Sequence, residues 1–318
     1  MINQSAGITD TLWTISAGGY EARILPEIGG NLISLQKDGI ELLHEYGDLE
    51  EIAQSPTSYG LPVLFPPNRI DGGAFAFDGR QYQFPCNEEA RHNSLHGFLQ
   101  DRPWQISVLK DSEEEVQICL YYEARDDSDF YSYYPHVFTA KILYTLNREG
   151  LTQEFKLRND GAGKMPFGLG WHSAFRAAAD TTVKVSVDRR VVMSDRMLPT
   201  GELLPLTDEE DKMRTVGLSP FRAVMDDHFT SRPLDGNYHG AVIVTPSLGI
   251  KMWYEVDAAY RHWMIWNCER EGSFVCIEPQ NWRVNAPNLA LPEDESGMAC
   301  LLPGENYKAT ARIWAERI

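Results

Sequence analysis

Short segments in which apolar and polar side chains alternate recur along most of the chain, and this pattern restricts the fold more than any other feature. Alternation at every second residue puts the apolar side chains on one face of a β-strand, and these segments are rich in the β-branched and aromatic residues that favour strands. The segments that alternate best are Tyr20–Leu25, Asn31–Leu35, Phe75–Phe77, Tyr82–Phe84, Val116–Tyr122, Val137–Leu146, Leu151–Leu157, Val183–Val187, Ile250–Val256 and Tyr307–Trp314. We therefore predict an all-β fold, built as a large antiparallel β-sandwich.

The turn and helix signals agree with this prediction. Asp38-Gly39 and Asp78-Gly79 each separate two such segments, and Asp-Gly is typical of two-residue hairpin turns that need positive φ angles. Thr207 with Glu210 resembles a capping box and predicts one short helix over Asp208–Met213. We expect solvated loops over Glu45–Tyr59 and Asp111–Glu115. Because no repeat, low-complexity tract or linker divides the sequence, we expect residues 1–318 to form a single domain.

The charge of the chain argues against several kinds of partner. Lys and Arg number 29 against 46 Asp and Glu, which gives a formal charge of −17, and such a surface repels nucleic acids and anionic membranes. No apolar run approaches the roughly 20 residues of a membrane helix, and Met1–Ser5 does not begin a signal peptide. We expect a cytoplasmic monomer or homodimer that binds neither nucleic acid nor membrane.

The first group of candidate site residues brackets the Asp78-Gly79 hairpin, with Arg69 before it and His96 after it. His96 is either a structural histidine bonded to backbone or a hydrogen-bond donor to a ligand, and the residue type leaves both open. His92 and His96 have the spacing of a helical metal pair, but no Glu follows His92 and Gly97 follows His96. The five cysteines are odd in number and form no C-x-x-C pair. We therefore expect free thiols and no metal site.

Two further segments combine titratable and aromatic side chains. Gly168 and Gly170 would let a strand pass close to a ligand on which the Trp171 ring could stack, although a kinked core strand explains the same residues. Glu278 ends a strongly apolar run, so it is either paired or held with a raised pKa as a proton acceptor. The acceptor role needs a companion acid, and His172 is a candidate. Asp226-Asp227 is a weaker candidate, for which a solvated turn is the alternative.

Five motifs in sequence order give the chain a resemblance to a known family. Asn68-Arg69-Ile70 with the Asp78-Gly79 hairpin, Leu95-His96-Gly97-Phe98, Gly170-Trp171-His172, Asp226-x-x-Phe229 and Ile277-Glu278-Pro279 resemble the aldose 1-epimerase (mutarotase) family.

The resemblance implies a galactose mutarotase-like supersandwich with an open cleft, in which the α and β anomers of an aldose interconvert by ring opening. It implies that Glu278 is the base and His172 the acid. It further implies that His96 and Arg69 are hydrogen-bond donors and Asp226 an acceptor for sugar hydroxyls, without a metal or organic cofactor.

The identity of the sugar remains open in the sequence, and a free aldohexose is our expectation. Some members of the family act on hexose 6-phosphates and need a cationic pocket, for which Arg69, Arg91, Arg102 and Arg176 lie near the motifs. A non-catalytic sugar-binding protein could use the same fold. A binder would not need both Glu278 and His172, so their joint presence favours an enzyme.

Overall fold

The computed structural model describes residues 1–5, 12–267 and 272–318. Strands dominate these ranges. In chain order they are β1 Ile2–Ser5, β2 Leu12–Ala17, β3 Tyr20–Leu25, β4 Asn31–Lys37, β5 Ile40–Glu41, β6 Val63–Leu64, β7 Arg69–Asp71, β8 Ala74–Phe77, β9 Arg80–Gln83, β10 Asn93–Leu95, β11 Gln105–Asp111, β12 Glu115–Ala124, β13 Phe138–Asn147 and β14 Gly150–Asn159. They continue with β15 Met165–Phe167, β16 Gly170–Trp171, β17 Ala174–Arg176, β18 Thr182–Val185, β19 Val187–Met193, β20 Pro199–Pro205, β21 Asp226–Ser231, β22 Gly240–Thr245, β23 Ile250–Val256, β24 His262–Trp266, β25 Phe274–Gln280, β26 Ala299–Leu301 and β27 Asn306–Arg317.

Helical segments in the described ranges are short. The α-helices are α1 Leu49–Gln54 and α2 Glu293–Ser296, and the 3-10 helices are Glu89–Arg91, Glu210–Met213, Asp235–Asn237, Pro246–Leu248 and Ala286–Asn288. No helix in these ranges is long and apolar enough to cross a membrane.

Two broad antiparallel sheets form the body of the molecule, which confirms the predicted β-sandwich. The large sheet has the strand order β11-β12-β13-β14-β27-β23-β22-β18. The second, which we call the site sheet, has the order β20-β19-β21-β24-β25-β16-β6, with β17 also paired to β25. A smaller sheet, β1-β2-β3-β4-β5, and the two-stranded ladders β7-β10, β8-β9 and β15-β26 complete the arrangement.

Aromatic side chains join the large sheet to the site sheet. Phe155 of the large sheet meets the edge of Trp171, with ring centroids 6.2 Å apart, and Tyr254 packs at 5.1 Å from Phe175. Buried aromatics of this size each remove 150–250 Å² from water, so these contacts hold the two layers together. The period-two alternation explains the packing, because it sends every second side chain of each sheet into this core.

Most sequence predictions about local structure are confirmed. All ten predicted segments overlap strands, although residues 183–187 span the end of β18 and the start of β19. Asp38-Gly39 and Asp78-Gly79 have positive φ at both positions, as the predicted hairpin turns require. The predicted capping box forms, since the Thr207 hydroxyl accepts from the Glu210 amide while the Glu210 carboxylate accepts from the Thr207 amide. The helix is a 3-10 turn over Glu210–Met213, two residues shorter than predicted.

One loop prediction is wrong. The range 45–59 contains α1, whose N-cap Asp48 accepts hydrogen bonds from the amides of Glu50 and Glu51. The helix buries Ile52 against a small cluster with Leu25 and Ile33, and this packing stabilises a segment that is polar overall. Among the cysteines, Cys86, Cys119 and Cys300 are free thiols, as predicted, and Cys268 lies outside the described residues.

Candidate active site

Strand register brings His172 and Glu278 together. Gly170 of β16 pairs with Gln280 of β25, and Ala174 of β17 pairs with Cys276 of the same strand. The position halfway between the two pairs places His172 directly opposite Glu278. The His172 Nε2 atom lies 3.2 Å from the Glu278 Oε1 atom, so the two side chains predicted to act as acid and base are in direct contact.

The same register sends Trp171 to the other side of the sheet. Successive side chains of a strand point to opposite faces, and Trp171 is fully buried in the sandwich core, where its indole N–H donates to the Tyr260 hydroxyl at 2.7 Å. The predicted stacking of a sugar on Trp171 does not fit this position, which matches the alternative of a core strand. The aromatic ring beside the pair is Trp266 of β24, whose centroid lies 5.7 Å from that of His172 in an edge-on contact.

Gly168 and Gly170 are required by packing within the protein and not by the close approach of a ligand. A Cβ atom on Gly168 would lie 2.5 Å from the Trp282 ring, and one on Gly170 would lie 2.9 Å from the Pro67 side chain. Both positions therefore need glycine so that the segments around residues 67 and 282 can pack against this strand.

Burial sets the electrostatics of the acid–base pair. His172 is 7 % exposed and Glu278 is 2 % exposed. Burial raises the pKa of the Glu278 carboxyl well above its usual value, and the negative charge of Asp226 raises it further. Burial also lowers the pKa of His172 to about 4, with a smaller contribution from the positive charge of Arg69. Both shifts disfavour charge, as expected for groups removed from water.

Arg69 and His96 are held by one short ladder. Arg69 pairs with Leu95 where β7 meets β10, and the His96 amide donates to the Asn68 carbonyl at 3.0 Å. Asn68 and His96 both have left-handed backbone conformations, with φ of 58° and 64°, and non-glycine residues in this region are often found at functional sites. Gly97 follows because a Cβ there would lie 2.0 Å from the Phe65 carbonyl oxygen.

His96 stands next to the acid–base pair. Its ring meets the ring of His172 edge-on, with centroids 5.2 Å apart. Burial lowers the pKa of His96 well below its usual value, with smaller contributions from His172 and Arg69, so the imidazole is neutral. Its Nδ1 atom is buried and has no hydrogen-bond partner within the described part of the chain. Such an atom is available to a bound ligand.

Asp226 reaches the site from β21. It pairs with Trp266, which pairs in turn with Cys276, so its side chain shares the sheet face that carries Glu278. Its Oδ2 atom lies 3.3 Å from Arg69 Nη2. The neighbouring Asp227 instead accepts from Arg190 at 2.6 Å. Asp226 is therefore the acidic residue next to Arg69, and both residues lie in a strand and not in the solvated turn considered as the alternative.

Three residues near the site were not singled out in the sequence: Trp266, Cys276 and Glu88. Cys276 offers a thiol within 4.8 Å of the ligand atoms of His172 and Glu278, and these three groups could hold a divalent metal ion. His92, by contrast, is exposed at the end of a 3-10 turn. Trp266 and Cys276 lie on the same sheet face because β24 pairs with β25. The sequence does not show this pairing, so it could not have identified the two residues.

The antiparallel β-sandwich of this chain and the sequence that forms it are similar to those of known proteins. A family model described as aldose 1-epimerase matches residues 11–314. The chain belongs to the aldose 1-epimerase family. A galactose mutarotase-like protein from Clostridium acetobutylicum superposes with a TM-score of 0.95 at 30% identity, covering 100% of this chain and 99% of that one. The aldose epimerase homologue from C. elegans has a TM-score of 0.74 at 21% identity, over 96% and 98% of the two chains, which shows the fold alone.

Sequence relatives match over shorter ranges. The uncharacterized protein YihR of Escherichia coli K12 is 32% identical over 161 residues, which cover 50% of this chain and 48% of that protein. Galactose mutarotase of Rattus norvegicus is 29% identical over 171 residues, covering 51% of this chain and 46% of that protein. The chain thus spans about half the length of the curated relatives that it matches.

Proposed function

We propose that this chain interconverts the α and β anomers of an uncharged aldohexose by acid–base catalysed ring opening. The observation that carries the proposal is the buried contact of 3.2 Å between His172 Nε2 and Glu278 Oε1. Arg69, His96 and Asp226 stand beside this pair with polar atoms suited to sugar hydroxyls. Membership of the aldose 1-epimerase family supports an isomerase.

The reaction needs two proton transfers in each direction. The Glu278 carboxylate accepts the proton of the C1 hydroxyl while protonated His172 donates to the ring oxygen, and the bond between C1 and the ring oxygen breaks to give the open-chain aldehyde. Rotation about the C1–C2 bond presents the other face of the aldehyde. The reverse transfers then close the ring and restore both side chains, so that atoms and charge balance.

The proton content of the pair suits this scheme. Burial raises the pKa of Glu278 and lowers that of His172 to about 4. Between the two titrations the pair therefore holds one proton, which rests on Glu278 and passes to His172 across their contact to give the carboxylate and the imidazolium that begin the ring opening. One group can accept a proton while the other donates, as the ring opening demands. Because proton transfer is sufficient, we propose no metal or organic cofactor.

The residues around the pair would bind the sugar and stabilise developing charge. Arg69 and neutral His96 are donors for sugar oxygens, including the oxygen that becomes negative as the ring opens. Asp226, with a side chain that is 31% exposed, is an acceptor for a sugar hydroxyl. Donors already fixed in place stabilise charge well because they need no rearrangement during the reaction.

Charge pairing supports an uncharged substrate over a phosphosugar. Each of the four arginines considered above for a phosphate pocket already contacts a carboxylate. The contacts are Arg69 with Glu88 and Asp226, Arg91 with Glu88, Arg102 with Asp129, and Arg176 with Glu45. The formal charge of −17 adds a general repulsion of anions.

Polarimetry and anomer-resolved NMR on galactose, glucose and glucose 6-phosphate test the proposal, after correction for spontaneous ring opening. We expect catalysed interconversion of the free sugars. Turnover of glucose 6-phosphate at least about ten times more efficient than that of either free sugar would replace the substrate class. Sugar binding without any rate increase would replace the enzyme by a sugar-binding protein.

A further inference from the structure

A half-buried carboxylate outside the proposed acid–base machinery makes several contacts around Arg69. Glu88 precedes the 3-10 turn Glu89–Arg91, and its side chain is only 12% exposed. Both of its oxygens accept from Arg69 Nε, at 3.2 and 3.0 Å. It also accepts from Arg91 Nη1 and Asn93 Nδ2, each at 2.9 Å. Charge-assisted contacts of this kind are short and directional, so Glu88 fixes the plane of the Arg69 guanidinium.

Glu88 and Asp226 hold Arg69 from two sides. A guanidinium has five N–H donors. Glu88 occupies Nε, Asp226 accepts from Nη2 at 3.3 Å and the Asn68 side chain accepts weakly from Nη1 at 3.4 Å. Among the described residues, one N–H on each terminal nitrogen has no hydrogen-bond acceptor and is available to a ligand. The position of both N–H groups depends on the contact at Nε.

Glu88 is also held by groups other than Arg69. Asn93 is fully buried, and its amide group donates to both Glu88 Oε2 and the Arg196 carbonyl, each at 2.9 Å. Arg196 in turn donates to Asp71 of β7 at 2.6 Å. The loop between β19 and β20 is thereby tied to the ladder that carries Arg69, so Glu88 forms a rigid support for the arginine.

We propose that Glu88 is a positioning residue, which aims the free N–H groups of Arg69 at the sugar in the ring-opening reaction. The proposal rests on the proposed function, because it assigns those groups to sugar oxygens. Displacement of a substrate-positioning group by about 1 Å can cost on the order of a hundredfold in rate. Loss of Glu88 should therefore act through Arg69, without any contact between Glu88 and the sugar.

A double-mutant cycle between Glu88 and Arg69 tests this inference. We expect Glu88→Ala to lower kcat/KM for galactose by about 10- to 100-fold, and Glu88→Gln, which keeps an acceptor for Nε, to recover about half or more of that loss on a logarithmic scale. In an Arg69→Ala background, Glu88→Ala should change kcat/KM by less than about twofold, because the group that Glu88 positions is gone. If Glu88→Ala does not fold, the same cycle is run with Glu88→Gln. We then expect Glu88→Gln to lower kcat/KM by about threefold or more when Arg69 is present, and not to change it in the Arg69→Ala variant.

Glu154→Ala is a matched control. Glu154 has the same side-chain exposure of 12% and also contacts two cations, Lys156 and Lys308, but it lies on the large sheet. We expect a similar loss of Tm with kcat/KM unchanged within about twofold. Equal kinetic losses for Glu154→Ala and Glu88→Ala, or additive losses in the cycle, would overturn the positioning role.

Sugar affinity distinguishes this inference from the proposed function. The Kd for galactose is measured by calorimetry on the same variants. A wild-type protein that binds galactose but does not accelerate mutarotation would overturn the proposed enzyme, and the cycle would then be judged on Kd alone. Neither binding nor turnover of galactose or glucose by the wild type would overturn both.

Discussion

Replacement of Glu278 by glutamine removes the proposed base and leaves the site otherwise intact. The amide has the size of the carboxyl and can keep the 3.2 Å contact with His172, but it cannot accept the C1 proton. General acid–base groups contribute about 10²- to 10⁴-fold to rate. At about 1.4 kcal/mol for each factor of ten, this corresponds to a barrier increase of about 3 to 5 kcal/mol.

The fold should tolerate this replacement. Burial already disfavours the charged form of Glu278, whose pKa is raised well above the usual value, so a neutral amide removes no stabilising charge. We expect Glu278→Gln to keep its circular dichroism spectrum and to bind galactose with nearly unchanged Kd, because the lost interaction belongs to the transition state.

Variants of His172 test whether Glu278 and His172 act in the same step. His172→Gln should lower kcat to a similar extent, and the double variant should be little slower than the slower single variant, because both groups act in one step. His96→Gln should raise KM and lower kcat together, by less than either. Polarimetric kinetics on these variants measure the effects. Turnover near that of the wild type in folded Glu278→Gln would remove Glu278 from the mechanism and favour a sugar-binding protein.

Three further predictions concern pH and metals. The rate should fall below about pH 4, where His172 and Glu278 are both protonated, and again above the raised pKa of Glu278, where both have lost the proton; a pH–rate profile without two limbs would contradict this. Dialysis against EDTA should leave kcat unchanged, and loss of activity restored by zinc would show that a metal is required, for which His172, Cys276 and Glu278 are the candidate ligands. Stability should fall on acidification, since the pKa values of His172 and His262 are lowered to about 4 and about 3, and the unfolded chain therefore binds protons first as the pH drops below about 6.5. In Glu278→Gln, which removes the opposite contribution of the raised Glu278 pKa, each of the two should contribute about 2 kcal/mol less stability at pH 5 than at pH 7. Urea unfolding of this variant at the two pH values would measure the difference, and equal stability would contradict the burial of neutral histidines.

The sequence predicted the sandwich and most of its strands because alternation is a local property. The hairpins at Asp38-Gly39 and Asp78-Gly79 could be predicted for the same reason. A two-residue turn depends only on whether its own residues can adopt a positive φ, as Asp and Gly can. The helix α1 was missed although Asp48 is a good N-cap, because its polar sequence resembles a loop until Ile52 is seen against Leu25 and Ile33.

The contact between His172 and Glu278 could not be predicted from local pattern. It depends on the pairing of residues more than a hundred positions apart, and a shift of one residue would have put Trp171 at the site and His172 in the core. The resemblance to family motifs identified His172 and Glu278 as candidates, but it did not show that their side chains are in contact. Glu88 was missed because an acidic residue near a turn resembles a solvated one, and only the fold brings Arg69 and Asn93 to it.

The position of β27 in the large sheet has a consequence for synthesis on the ribosome. This strand lies between β14 and β23 and pairs with both, yet residues 306–317 leave the ribosome after every other strand of that sheet. Until then the strands of this sheet can pair only as two separate groups, β11 to β14 and β18 with β22 and β23, so β14 and β23 each lack one neighbour. Such edges recruit other chains, so we expect the nascent protein to be more prone to aggregation at the stage before β27 is available. The arrival of β27 joins the two groups into one continuous sheet and ends that stage.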